Sequence, residues 1–419
     1  MSAPFDVAIV GGGPGGSAAA AAALRRGLSV AQIDRFTFPR IKPCAGGITI
    51  KSCVTLPYDL TPMIRGESHD VDFNVWQTRH NRFTRRRSPL LRLVVRPEFD
   101  NWLVSKNAEQ PGFRFFDGER VLDISYDGLF TLRTSARTIR ARQLVGADGA
   151  YSIVNKLFRV TQPKGMATAV EVALPRGDAV LPEQIPPCFD FGAIERGYGW
   201  VFPKDDHWNI GLYTMAKQTD LKHKLAEYIR LKGFRVSGDA LATFEAHRFP
   251  FGGYRVILPN APVYVVGDAG GFGDPLLGEG IYHAVASGTL AGETAADCLA
   301  GRVAANAYYE RLKPTVLTDA LITYYASRLF YRDVDKGLAI LENPFVWRAF
   351  FEGGANGASF SRSLVRAWWF LAKSLVHPQF RHYRVGRSQS LALSGPLRGL
   401  AYLGGALIDR ADWLSGSIP

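Results

Sequence analysis

Three groups of residues have the types and spacing to do chemistry. The first is Gly11, Gly13 and Gly16 in "GGGPGG", followed downstream by Asp34 and Arg35. Gly11 permits a tight turn, Gly13 lets a pyrophosphate approach the backbone, and Gly16 lets a helix pack closely on a strand. The free N–H groups that open the helix then face the phosphates. Asp34 stands where a carboxylate can accept hydrogen bonds from an adenosine ribose. The second group is Gly267-Asp268 in "PVYVVGDAGGFGDPLLGEGI". Asp268 is suited to hold a polar chain, and Gly280 opens a helix at Ile281 whose amides would meet an anion. The third is Cys44 in "KPCAGG", a thiol able to donate a proton or to pack as a small hydrophobe.

The elements that position these groups are legible around them. Phe5–Val10 is a continuous apolar run, suited to a strand buried on both faces. "SAAAAAALRRG" is a strong helix former that stops at Gly27, and "LSVAQID" is a second buried strand. One dinucleotide needs one such turn. A second strand, Gly-Asp turn and helix far downstream predicts a cofactor that bridges both, and FAD has that length. No second GxGxxG lies in a strand–helix setting. Electrons are therefore expected from NAD(P)H visiting the flavin or from a separate reductase.

Bulk properties narrow the class. At 419 residues the chain exceeds the usual single-domain size, so two or three subdomains are expected. The charge of 50 basic against 38 acidic residues, +12, is compatible with an anionic cofactor, an acidic partner or a membrane surface. Only Arg79–Arg92 concentrates basic residues, and no nucleic-acid-binding pattern surrounds it, so nucleic acid is not an expected partner. Cys44, Cys53, Cys188 and Cys298 lack both C-x-x-C spacing and histidine partners, which argues against zinc or a disulfide framework. No transmembrane run is expected: "LVRAWWFLAKSLV" comes closest and is interrupted by Arg366 and Lys373. A strand so close to Met1 leaves no room for a leader, and a cytoplasmic setting is expected.

These motifs resemble the flavoprotein superfamily of p-hydroxybenzoate hydroxylase, geranylgeranyl reductases and flavin-dependent halogenases. "RPEFDNWL" resembles its R-x-x-F-D-x-x-L helix, which implies Arg96 against the flavin pyrophosphate and ribityl. "VGADGAYSIVNK" resembles its Asp-Gly segment, which implies Asp148 and Gly149 near the cofactor, and Val121 falls where the family's meander approaches the adenine. The closest likeness is to the geranylgeranyl reductases. "KPCAGG" resembles their cysteine loop beside the isoalloxazine, "YGWVFPKDDHWNIGLY" their Y-x-W-x-F-P…G-x-G motif, and "PLLGEGI" their second turn. The chain departs from that pattern twice. Tyr213 replaces the second glycine of G-x-G, which in the family helps open a channel for a long isoprenoid. Asn155 stands where monooxygenases often carry an arginine, which puts nicotinamide phosphate binding there in doubt.

The expected fold is α/β (α+β). Residues 1–50, 92–165 and 258–300 form a Rossmann-type FAD-binding domain, 51–91 and 166–257 an antiparallel-sheet substrate domain, and 301–419 a C-terminal helical region. The resemblance implies that Tyr198, Trp200, Phe202, Pro203 and Tyr213 line the substrate side. The competing reading makes Tyr198, Trp200 and Phe202 core residues on one strand face. The aromatic and basic C-terminal region is either a cap or a docking patch for a protein partner. The function placed first is a FAD-dependent monooxygenase that hydroxylates a bulky aromatic substrate through a flavin C4a-hydroperoxide, in one version a tryptophan on a partner protein during quinone-cofactor maturation. The alternative is a geranylgeranyl-type reductase that saturates a polyprenyl lipid, with Cys44 or a water supplying the proton. A non-catalytic, flavin-dependent assembly factor is the third.

Overall fold

Strand Phe5–Val10 runs through Gly11–Gly13 into helix Pro14–Leu24, and strand Val30–Ile33 returns parallel to the first. This computed structural model describes residues 3–85, 87–176, 185–235, 243–342, 346–347 and 359–365, all within the compact unit Met1–Ala367. The parallel part of the first sheet has the order Phe113–Phe116, Val30–Ile33, Phe5–Val10, Thr138–Gly146. Val263–Val265, which leads to the second glycine turn, pairs parallel with Leu144–Gly146. An antiparallel hairpin, Val121–Tyr126 with Phe130–Thr134, extends the sheet from the first half of Thr138–Gly146.

All of helix Pro14–Leu24 is buried, because helix Ile281–Leu299 crosses it almost backbone to backbone. A Cβ on Gly288 would lie 2.1 Å from the Gly15 carbonyl oxygen, and one on Gly292 2.3 Å from that of Ala19. The alanine run serves this approach: larger side chains would hold the helices apart. The opening turns of the two helices consequently meet, with Gly15 against Ala284. The two glycine turns, distant in sequence, become neighbours.

The second sheet has the order Glu245–Phe251, Gly165–Pro175, His207–Thr214, Gly197–Pro203, Cys188–Phe191, Asp70–Val75, Arg82–Thr84. It is antiparallel except that Cys188–Phe191 runs parallel to Asp70–Val75, which amends the expectation of a wholly antiparallel sheet. Its two faces do different work. Val170, Val172, Leu174, Val201, Ile210 and Leu212 pack with residues of helix Leu221–Leu231. The opposite face carries Tyr198, Trp200, Phe202 and Tyr213. A small sheet of Gly47–Thr49, Leu91–Leu93 and Gly66–Ser68 anchors the segment that follows Cys44.

Beyond residue 300, helices Ala307–Leu312, Thr318–Phe330 and Val334–Leu341 close one side. Phe330 packs edge-on against Phe191 at 5.0 Å, whereas Tyr325 and Leu329 are exposed. "YYASRLFYR" is thus part cap and part surface. The aromatic and basic stretch after Val365 lies outside the described residues.

Candidate active site

The first glycine turn is built to sit against backbone. Gly11 has φ +113°, and a Cβ there would meet the Ala147 carbonyl oxygen at 2.1 Å; one on Gly16 would meet the Gly11 oxygen at 2.1 Å. Gly12 N–H donates to Asp34 Oδ2 at 2.7 Å and Phe36 N–H to Asp34 Oδ1 at 3.0 Å. The acid is thereby fixed at the end of its strand. A Cβ on Gly13, by contrast, would meet no backbone and would lie 3.4 Å from the Arg40 guanidinium. Arg40 Nη2 approaches Asp100 at 3.2 Å, while its buried Nε makes no hydrogen bond and faces Asp34 Oδ2 at 3.6 Å. A buried cation with a spare donor beside an open glycine turn fits a pyrophosphate. Arg96 forms a two-point pair with Asp100 at 2.9 Å for each bond. At the second turn Gly267 N–H donates to Ser287 Oγ at 3.0 Å, and Gly280 caps helix Ile281–Leu299. The chain therefore carries a cradle that fits FAD, with Gly11, Gly13, Gly16, Asp34, Arg40, Arg96, Gly267, Asp268, Gly280 and Ile281 as the residues that would hold it.

Other expected cofactor residues are placed differently. Arg35 is exposed, with its guanidinium 4.7 Å from the Phe36 ring. Val121 is buried in the core of the first sheet. The Asp148 carboxylate accepts from Ser152 Oγ, from Ile153 N–H at 2.6 Å and from Val154 N–H at 3.4 Å, so it fastens the start of helix Ile153–Phe158. Asn155 is likewise spent locally: its Oδ1 accepts from Thr161 N–H at 2.9 Å and its Nδ2 donates to Thr161 Oγ1 at 3.1 Å. Beside this segment a cavity of about 500 Å³, lined by Tyr151, Lys156, Arg159, Met166 and Asp268, opens to the surface.

The sheet register assembles a polar cluster that no local motif announces. His247 pairs with Ala169, and Ala169 with Tyr213; one rung along, Glu171 pairs with Gly211, and Gly211 with Trp200. Lys42 Nζ hydrogen-bonds His247 Nε2, which lies 3.5 Å from Asp268 Oδ2. Burial lowers Lys42 to about 8, against the pull of Asp268. Burial also lowers His247, outweighing its bond to Asp268. Burial alone would raise Asp268, but the His247 hydrogen bond and the Lys42 charge hold it below the usual carboxylate range.

Cys44 sits inside this cluster. Its N–H donates to Glu171 Oε1 at 2.8 Å, and its Sγ accepts from Gly46 N–H at 3.4 Å, with the positive charge of Arg96 close by. Burial raises Glu171 above the usual carboxylate range, against the pull of the Cys44 N–H and of Lys204. Asn209 Oδ1 accepts from Trp200 Nε1 at 2.7 Å. Lys204, buried and lowered by desolvation, completes the group near Gly46.

The aromatic residues form the wall beside it. Tyr198 and Tyr213 stack at 5.2 Å, Phe249 meets Tyr213 edge-on at 6.0 Å, and Phe202 lies against Gly47. Gly211 is required here, because a Cβ would fall 2.1 Å from the Trp200 ring. Tyr198, Trp200, Phe202 and Tyr213 are all buried, and Pro203 closes the strand at the edge of the wall. The cysteine loop and the aromatic strand expected from the sequence are brought together. No local motif announces Lys204, Glu171, Asn209 and His247, which the register of distant strands brings together, or Arg40, which meets Asp34 and Asp100 from the loop that follows the second strand.

A Rossmann turn, a second glycine turn stacked on it and a sheet face beyond both define a FAD-dependent oxidoreductase, and the comparisons agree. Residues 4–179 match the family model described as an FAD binding domain. The chain is 31% identical over 322 residues to the menaquinone reductase of Mycobacterium tuberculosis, covering 69% of this chain and 76% of that one. It is 30% identical to the chloroplastic geranylgeranyl diphosphate reductase of Oryza sativa, covering 68% and 65%. In fold it is similar to a geranylgeranyl bacteriochlorophyll reductase-like protein from Thermoplasma acidophilum, with a TM-score of 0.68, 17% identity, and 91% and 99% coverage. The chain belongs to the FAD-dependent oxidoreductase family of the geranylgeranyl and menaquinone reductases.

Proposed function

We propose that the protein is a flavin-dependent reductase that saturates a carbon–carbon double bond of a polyprenyl group. The observation that carries this reading is the buried cluster of Lys42, His247, Asp268 and Cys44. Saturating an alkene adds a hydride to one carbon and a proton to the other. Reduced FAD, when bound, supplies the hydride. The proton must come from a group that is ionisable near neutrality and shielded from bulk water. Lys42 fits, since its ammonium is poised near pH 8 with His247 to share and restore the proton. Cys44, tied through its N–H to Glu171 and through Sγ to Gly46 N–H, fixes the loop that carries Lys42. The names of the 30–31% identical relatives support the same reaction class, and the aromatic wall supports an apolar substrate. Electrons reach the flavin from NAD(P)H or from a separate reductase.

A second reading, hydroxylation of a bulky aromatic or peptide-borne substrate, is favoured by the stacked Tyr198–Tyr213 pair beside Trp200. Product mass and oxygen uptake separate the two. The reductase reading expects geranyl diphosphate to give a prenyl product with two added hydrogens and no oxygen consumed. An aromatic product gaining one oxygen atom, with matched oxygen uptake, would replace it with the second reading.

A further inference from the structure

Tyr213 takes the place of a small residue in the family pattern, and the structure gives that phenol a specific job. The turn Asp274–Gly280 offers three successive carbonyls, and each is taken by a tyrosine hydroxyl from a different element. Tyr213 donates to Pro275 at 3.1 Å, Tyr331 to Leu276 at 2.7 Å and Tyr198 to Leu277 at 2.6 Å. Gly278 fits beneath them with φ +69°; a Cβ there would lie 2.7 Å from the Tyr198 hydroxyl and 3.5 Å from the Tyr213 ring. Phe249 closes the other side of Tyr213 and lies against Gly273 and Gly280. A buried hydroxyl loses its only partner if it swings away, a cost of about 1–3 kcal/mol. The ring also fills the core between Tyr198 and Phe249. Tyr213 is therefore a wall and not a gate.

The register shows what this wall divides. Along one rung of the sheet run His247, Ala169, Tyr213, Tyr198 and Phe191. The proton-holding side chains lie at one end and the aromatic core at the other. With a glycine at 213 the ring that fills the space between Tyr198 and Phe249 would be gone. On the neighbouring rung the Trp200 indole lies over Gly211. We propose that Tyr213, locked by the three-tyrosine clamp, is a specificity-determining residue that stops a prenyl chain from threading across this sheet face. The site takes a short or terminal isoprenoid segment and excludes a long chain passing through. This rests on the reductase reading for its substrate class.

The test measures binding first, so that it does not depend on turnover. Geraniol and geranylgeraniol are titrated into the FAD-loaded protein, and the flavin absorbance change gives each Kd. Wild type is expected to bind geraniol at least as tightly as geranylgeraniol. Tyr213→Gly shifts the ratio of the two constants toward the longer alcohol by about tenfold or more, and Tyr213→Phe leaves it unchanged. Wild-type protein that binds geranylgeraniol about tenfold more tightly than geraniol overturns the proposal by itself, even if Tyr213→Gly does not fold. An unchanged ratio in a folded Tyr213→Gly overturns it too. Reduction of the two diphosphates is assayed separately. Failure to saturate either, alongside the expected binding ratios, removes the reductase reading and leaves the length limit standing.

Discussion

Lys42 is where electrostatics and chemistry meet most sharply. Its ordinary value of 10.5 falls to about 8 because burial penalises the ammonium more than Asp268 and its neighbours favour it. The protonated form, which can serve as acid, predominates below about 8 and is lost as pH rises through it. Turnover should accordingly decline on the alkaline side with a midpoint near 8. Lys42→Met should remove that limb and lower kcat by about 10²–10⁴-fold, while the flavin spectrum shows that FAD is still held. A Lys42→Met variant with wild-type kcat and the same alkaline limb would take the proton-donor role away from this residue. Cys44 gives a contrasting expectation. If it fixes the loop and does not give the proton, Cys44→Ser should keep the pH midpoint and change KM more than the shape of the profile.

At the scale of elements, the turn that precedes helix Ile281–Leu299 is held from two sides. The tyrosine clamp covers its outer face. From beneath, Glu279 accepts from Thr49 Oγ1 at 2.5 Å and Ser52 Oγ at 3.2 Å, and pairs with Lys51 at 2.5 Å. Burial works against both charges, yet Lys51 is raised and Glu279 lowered because each answers the other. This pair ties the segment after Cys44 to the second glycine turn. Glu279→Ala strands a buried ammonium and should destabilise the protein by about 3–5 kcal/mol, measured by chemical denaturation at pH 7.

Asp274, in the same turn, behaves oppositely. Burial pushes it up to about 6 from 3.8, although its carboxylate accepts from Leu276 N–H at 2.7 Å. Its folded-state value is raised, so the stability it confers is present at low pH and is lost as pH climbs from about 4 through 6. Asp274→Asn keeps the acceptor and removes the charge. It should raise the unfolding free energy at pH 8 by about 2–3 kcal/mol and change it little at pH 4. An equal effect at both values would show that the buried charge is not the cause.

For the whole molecule, FAD would lie against the two neighbouring glycine turns, both of which leave strands of the first sheet, and ligand binding to the folded state alone should stabilise it. Excess FAD at about a hundred times its Kd should add about 2.7 kcal/mol, visible as a higher Tm. Gly16→Ala should abolish that gain, because its new Cβ would meet the Gly11 carbonyl oxygen at 2.1 Å.

Much of this architecture was legible in the sequence because it is local. The Gly11–Asp34 unit, the Gly267–Asp268 turn and the alternating aromatic strand each declare themselves within about thirty residues. What was not legible is non-local. Lys42, Glu171, Lys204, His247 and Asp268 meet only because the second sheet has one particular register and two helices cross at glycines. Their spacing along the chain carries no period that could reveal it. Asp148 shows the converse: its motif suggests a cofactor ligand, while its carboxylate is occupied by the start of the next helix.

The most direct test of the central claim is an anaerobic single turnover. Photoreduced, FAD-loaded protein is mixed with geranyl diphosphate in D2O, and the return of the oxidised flavin band is followed while the product is analysed by mass. The account predicts flavin reoxidation without oxygen, at a rate that depends on substrate, and a saturated product carrying two solvent-derived deuteriums, one through the exchangeable hydrogen of the reduced flavin and one through the proton donor. A flavin that stays reduced until oxygen is admitted, with the prenyl double bonds intact, would contradict it.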